Sequence, residues 1–159
     1  MKYKVYEKST GKIYVPSGFD ETFVVQPSGI VGKFNGRTYD TVTDDVIIMP
    51  LLGKLGEMVY DVIFGKDYGL EIFEYDVLAY KFYDAYEDIE KDMYGVARCI
   101  NGKTYLTKFS KKYKGKTVHA DDYSFKLLIG DEKISQIRPI GSLFEKRIWK
   151  QLNIAGVKI

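Results

Sequence analysis

At 159 residues, 45% hydrophobic and 29% charged, the chain has the balance of a folded protein with a sizeable core and not of a disordered tail. A net charge of +2 is too small to announce a nucleic-acid binder, and the longest apolar run, Val46 to Leu52, contains Pro50 and falls far short of the roughly 20 residues a membrane helix needs. A single cysteine, Cys99, excludes an internal disulfide, so packing and hydrogen bonds must hold the fold.

The N-terminus, Met1-Lys2-Tyr3-Lys4-Val5-Tyr6-Glu7, alternates like a strand and lacks the apolar core of a signal peptide, so a cytoplasmic location is expected. Tyr3 to Val15 reads as a β-hairpin around Ser9-Thr10-Gly11-Lys12. Phe23-Val24-Val25 and Ile30 to Phe34 flank the turn Pro27-Ser28-Gly29, and Asn35-Gly36 turns the chain again before Arg37-Thr38-Tyr39. The first forty residues therefore predict a meander. Val46 to Met49 follows as a buried strand or short helical piece, and Glu57 to Phe64 alternates weakly before a turn at Gly65 to Gly69.

Glu71 to Tyr83 predicts one strand, with Glu74 and Asp76 on a shared face. Asp84 to Asp92 places Tyr86 and Ile89 at helical spacing among acids and is expected to be an exposed insert with one helical turn. Gly95 to Ile100, Asn101-Gly102 and Thr104 to Phe109 form the clearest hairpin, because Asn-Gly supplies the two positive-φ residues of a type I′ turn. Cys99 in its first strand reads as a small buried hydrophobe. Lys111 to Lys116 is a basic loop, and Phe125 to Ile129, a Gly130 to Lys133 turn and Ile134 to Ile140 close the β part. Ser142 with Glu145 three residues on fits a capping box, with Phe144, Ile148 and Leu152 on one face of a helix over about 143 to 152. The fold class expected is mainly β, with parts at 1–64 and 65–159 that no linker separates and that are expected to form one continuous structure.

Charge is segregated along the chain. Eight acids face two lysines from Glu71 to Asp92, whereas Arg98 to Lys116 carries seven bases and no acid. Opposite blocks of this kind mark partner surfaces or neutralise each other across a hairpin.

Three segments are similar to the YopX-like family of bacteriophage and prophage proteins. Tyr3-Lys4-Val5-Tyr6-Glu7-Lys8-Ser9-Thr10-Gly11-Lys12-Ile13-Tyr14 resembles the family's opening strand, turn and second strand. Gly65-Lys66-Asp67-Tyr68-Gly69-Leu70-Glu71-Ile72-Phe73-Glu74-Tyr75-Asp76-Val77-Leu78 resembles the central motif that introduces a barrel strand, and Ile140-Gly141-Ser142-Leu143-Phe144-Glu145 its closing segment. Tyr75 stands where the family has Gly, the residue favoured where the backbone needs positive φ. The resemblance implies an N-terminal β-meander, a small SH3-like β-barrel, a short C-terminal helix, and a phage or prophage protein in the cytoplasm of a bacterial host. It also makes Ile140 to Phe144 a strand, which would start the helix nearer Glu145. It brings no established activity.

Residue chemistry points the same way. The one histidine, His119, sits beside the basic loop and before Asp121 and Asp122, and three such neighbours rarely converge on one metal ion. Glu71, Glu74 and Asp76 could supply paired carboxylates for a hydrolase, but any acidic β-surface would give the same pattern. No phosphate-binding or dinucleotide motif occurs. The expectation is a non-enzymatic protein, without cofactor or metal, that binds a protein partner or itself as a homo-oligomer. The alternative partner is nucleic acid, with Lys103, Tyr105, Lys108, Lys111, Lys112, Tyr113, Lys114 and Lys116 combining bases and aromatics as single-strand binders do.

Overall fold

Alternating sequence and turn residues fold this chain as short antiparallel strands. The computed structural model describes residues 2–15, 22–54, 70–108 and 126–154. The chain forms two units, Met1–Pro50 and Leu51–Ile159, with the boundary inside one strand and not in a linker.

In the first unit, β1 (Tyr3–Glu7) and β2 (Lys12–Tyr14) form the expected hairpin, with Gly11 at φ +70 in its turn. β3 (Phe23–Val25), β4 (Val31–Phe34) and β5 (Tyr39–Thr41) form the meander in that order. The Asn35 side chain shapes its second turn, accepting the amides of Arg37 and Thr38 at 2.9 Å each. After a single 3-10 turn at Thr43–Asp45, β6 (Val46–Lys54) begins, and its first half pairs with β1 from Glu7↔Val46 to Tyr3↔Pro50. Val5, Phe23, Val31 and Val46 make the core of this unit.

One buried charge ties the hairpin to the meander. Glu7, 2% exposed, accepts hydrogen bonds from Lys33 Nζ at 2.6 Å and Thr10 Oγ1 at 2.7 Å. The Lys33 ammonium also lies 5.8 Å from the ring centres of Tyr14 and of Phe23, within cation–π reach. Lys33 therefore holds the Glu7 carboxyl below the ordinary value of 4.5, and Glu7 raises Lys33 in return.

The second unit opens with the remainder of β6, which pairs with β7 (Glu71–Phe73). The expected single strand from Glu71 to Tyr83 is broken: Glu74 and Tyr75 form a corner, and β8 (Asp76–Asp84) leaves it to join a different sheet. Glu74 and Asp76 thus do not share a strand face. β8 and β9 (Ile89–Ile100) pair along their whole common length, from Val77↔Val96 to Asp84↔Ile89. The acidic segment 84–92 is therefore the end of a hairpin, exposed as the sequence suggests: Asp84 and Ile89 to Asp92 lie in the paired strands, and 85–88 form the turn between them. Asn101 and Gly102, at φ +50 and +77, make the predicted tight turn into β10 (Lys103–Lys108). β11 (Lys126–Leu128) and β12 (Ile134–Ser142) complete a curled five-stranded sheet in the order β11-β10-β9-β8-β12.

This sheet is buried on both faces at its centre. Leu78, Ala97 and Leu106 lie in a core cluster with Ile72, Tyr80, Ile129, Ile134 and Ile137, while their neighbours Val77, Val96 and Thr107, on the opposite face, are also inaccessible. On β9 and β10 the cluster ends at Ala97↔Leu106, two pairs before Cys99↔Thr104, and Cys99 is exposed and not the buried hydrophobe the sequence suggests. Helix α1 (Lys146–Ile154) buries Ile148, Trp149 and Leu152. It starts after Glu145, later than the capping-box reading, because Ser142 still belongs to β12. Glu145 does reach back to the Ser142 amide at 3.4 Å, while the Ser142 hydroxyl accepts from Phe144. Trp149 Nε1 donates to the Leu143 carbonyl at 2.8 Å.

Two outcomes are expected. Glu7→Gln should lower stability by about 1–2 kcal/mol at neutral pH, since it removes a charged hydrogen-bond acceptor from a partly solvated lysine. A depressed folded-state value stabilises above the unfolded one and is lost as pH falls through the folded one, so urea midpoints of the two proteins should converge below about pH 4.5. Tyr75, at φ +68, should be more damaging as Tyr75→Ala than as Tyr75→Gly by about 1 kcal/mol, because both lose the ring but only glycine is relaxed there. Equal midpoints for those two variants would contradict a left-handed corner.

Candidate interaction surface

The corner that separates Glu74 from Asp76 decides what these carboxylates can do. Asp76, 1% exposed, accepts the Phe73 amide at 2.9 Å and so closes the turn. Glu74 accepts from Arg98 Nε at 2.9 Å, and the Arg98 guanidinium lies 4.4 Å from the Tyr75 ring centre. Both acids are engaged in holding the chain's change of direction. Arg98 is 6% exposed, so the base that opens the positive block belongs to this buried pair and not to a surface.

The sequence-predicted basic and aromatic residues divide into two groups. Lys103 is exposed and Tyr105 half-buried on β10, two residues apart and hence on one face. Lys108 ends the same strand. Lys111, Lys112, Tyr113, Lys114 and Lys116 lie outside the described residues, as do His119, Asp121, Asp122 and the segments 57–64 and 65–69. Among the described residues no group of three or more His, Cys, Asp or Glu side chains is placed to hold a metal.

A surface that sequence reasoning took for an insert is the better-built feature. Among the described residues the hairpin of β8 and β9 runs past its neighbours: β12 begins pairing at Ile134↔Phe82, and the described pairs with β10 reach Lys108↔Gly95. Tyr83 to Met93 therefore forms an arm whose end has no further strand beside it among the described residues. Its turn is locally fixed. Asp84 Oδ1 accepts the Tyr86 amide at 2.9 Å, Asp88 sits at φ +53, and the Tyr83 hydroxyl donates to Asp88. That bond raises the Tyr83 hydroxyl above its ordinary value.

The arm exposes apolar side chains that a solitary hairpin would be expected to hide. Tyr83 is 43% exposed, Tyr86 fully so, Ile89 47% and Met93 37%. Around them Lys91 bridges Asp84 at 3.0 Å and Glu87 at 2.8 Å, and Lys81 meets Asp92 at 3.1 Å. These contacts lower the Asp84 carboxyl and raise the Lys91 ammonium. Five acids from Asp84 to Asp92 share the two lysines, so the arm stays negative. The signal for it in the sequence was the β-rich alternation Tyr80 to Tyr83, which extends into the acidic stretch.

Comparison with protein-family models, curated proteins and solved structures finds no match to this chain. No described helix is long and apolar enough to cross a membrane.

Proposed function

We propose that this chain is a non-enzymatic accessory protein of a phage or prophage, acting in the bacterial cytoplasm by binding protein, its own copy or another, through the β8–β9 arm. The observation that carries this reading is the arm itself: a fixed, paired hairpin that presents Tyr83, Tyr86, Ile89 and Met93 to solvent. Aromatic and methionine side chains are the residues enriched where proteins bury surface against each other. The family resemblance supports the phage setting and the SH3-like closure of the curled sheet. The engagement of Glu74 and Asp76 in the corner supports a role without catalysis.

Self-association driven partly by opposite charges should show a mass above 18.3 kDa in light scattering at low salt, falling toward that value as ionic strength rises. Tyr86→Ser with Ile89→Ser should weaken it without changing the melting temperature. A monomer indifferent to salt would contradict the self-associating form.

A second reading has one observation behind it, the shared face of Lys103 and Tyr105 on β10. Nucleic acid bound there and along the basic segment to Lys116 would give anisotropy of labelled single strands that rises at about 50 mM salt and collapses at about 200 mM. Alanines at Lys111, Lys112 and Lys114 should abolish it. Absence of binding at the lower salt removes this reading.

A further inference from the structure

The arm is one half of a complementary pair, and helix α1 carries the other. Its sequence Lys146-Arg147-Ile148-Trp149-Lys150-Gln151-Leu152-Asn153-Ile154 contains three bases and no acid. Ile148, Trp149 and Leu152 face the core, which turns Lys146, Arg147 and Lys150 to solvent. Arg147 is engaged by Glu145 at 2.8 Å. Lys146 and Lys150 have no acidic partner among the described residues. They are four residues apart, and Ile154, a further four on, is 88% exposed. Residues at that spacing form one stripe, with the two ammonium groups rooted roughly 6 Å apart and an apolar side chain at its end.

The arm offers the matching stripe. Tyr83 stands directly opposite Glu90, and Asp92 projects from the same face of β9 two residues away, at roughly 7 Å. Glu90 has no cationic partner among the described residues, and the Asp92 side chain is 79% exposed beside Lys81. Tyr83 and Tyr86 supply the apolar end. We propose that the arm docks on the Lys146, Lys150 and Ile154 stripe of a second copy of this chain. This rests on the reading of the arm as a binding element and names its partner.

Two acid–base contacts at an exposed rim contribute little affinity but fix orientation, and arm-to-arm pairing is disfavoured by like charge. The contact is therefore weak, sensitive to salt and heterologous: one patch meets a different patch.

Charge exchange tests it. Glu90→Lys with Asp92→Lys makes one variant, and Lys146→Glu with Lys150→Glu makes another, with circular dichroism melts to confirm that both fold. Light scattering should show each variant alone associating roughly tenfold more weakly than the parent protein, and an equimolar mixture associating again. A parent protein that stays monomeric overturns both this contact and the self-associating form of the proposed function. Loss of association in the arm variant but not the helix variant overturns only the α1 partner and leaves the arm as the binding element. Two folded variants that associate as the parent does overturn the proposal outright.

Discussion

The Tyr75 corner is the constraint on which the second unit depends. Its amide donates to the Ala97 carbonyl at 2.9 Å and its carbonyl accepts from the Leu143 amide at 2.8 Å, so one residue joins β9 to the segment that leads into α1. Its ring lies against Phe144, with centres 5.1 Å apart, and under the Arg98 guanidinium. A left-handed tyrosine costs about 1–2 kcal/mol relative to an ordinary conformation. Two backbone hydrogen bonds, a buried ring pair and a stacked guanidinium together offset it. The corner redirects the chain from pairing with β6 into the five-stranded sheet.

Everything functional in this account follows from that redirection. Once β8 starts at Asp76 and pairs with β9 from Val77↔Val96 to Asp84↔Ile89, the far end of the hairpin extends beyond the pairing with β12, which begins at Phe82, as an arm. The carboxylates nearest the corner are consumed in building it, whereas those at the far end of the same hairpin stay at the surface. The acidic block of the sequence therefore has two fates. Glu74 and Asp76 are structural, and Asp84 to Asp92 are displayed. The basic block divides likewise, with Arg98 buried against Glu74 and Lys103 exposed.

Local chemistry was legible and long-range consequences were not. The hairpin at Gly11, the meander turns and the Asn101-Gly102 turn are fixed by residues within a few positions of each other, so the sequence pattern identifies them. Tyr75 could be flagged only through the resemblance, since a tyrosine carries no local preference for positive φ. The burial of Arg98 depends on a glutamate 24 residues away, and the exposure of Cys99 depends on where the core cluster ends; alternation within β9 reveals neither. The paired strands of the arm are hidden in the sequence for the opposite reason. Its acids mimic a solvated helical turn locally, and only the register with β8 extends the strand through them.

Hydrogen exchange of the intact protein, followed by mass spectrometry as concentration rises at low salt, tests most directly whether the arm is the binding element. Amides from Tyr83 to Met93 should slow as the protein associates and return to their dilute rates on addition of salt. Association that protects other segments while leaving the arm unchanged would contradict the account.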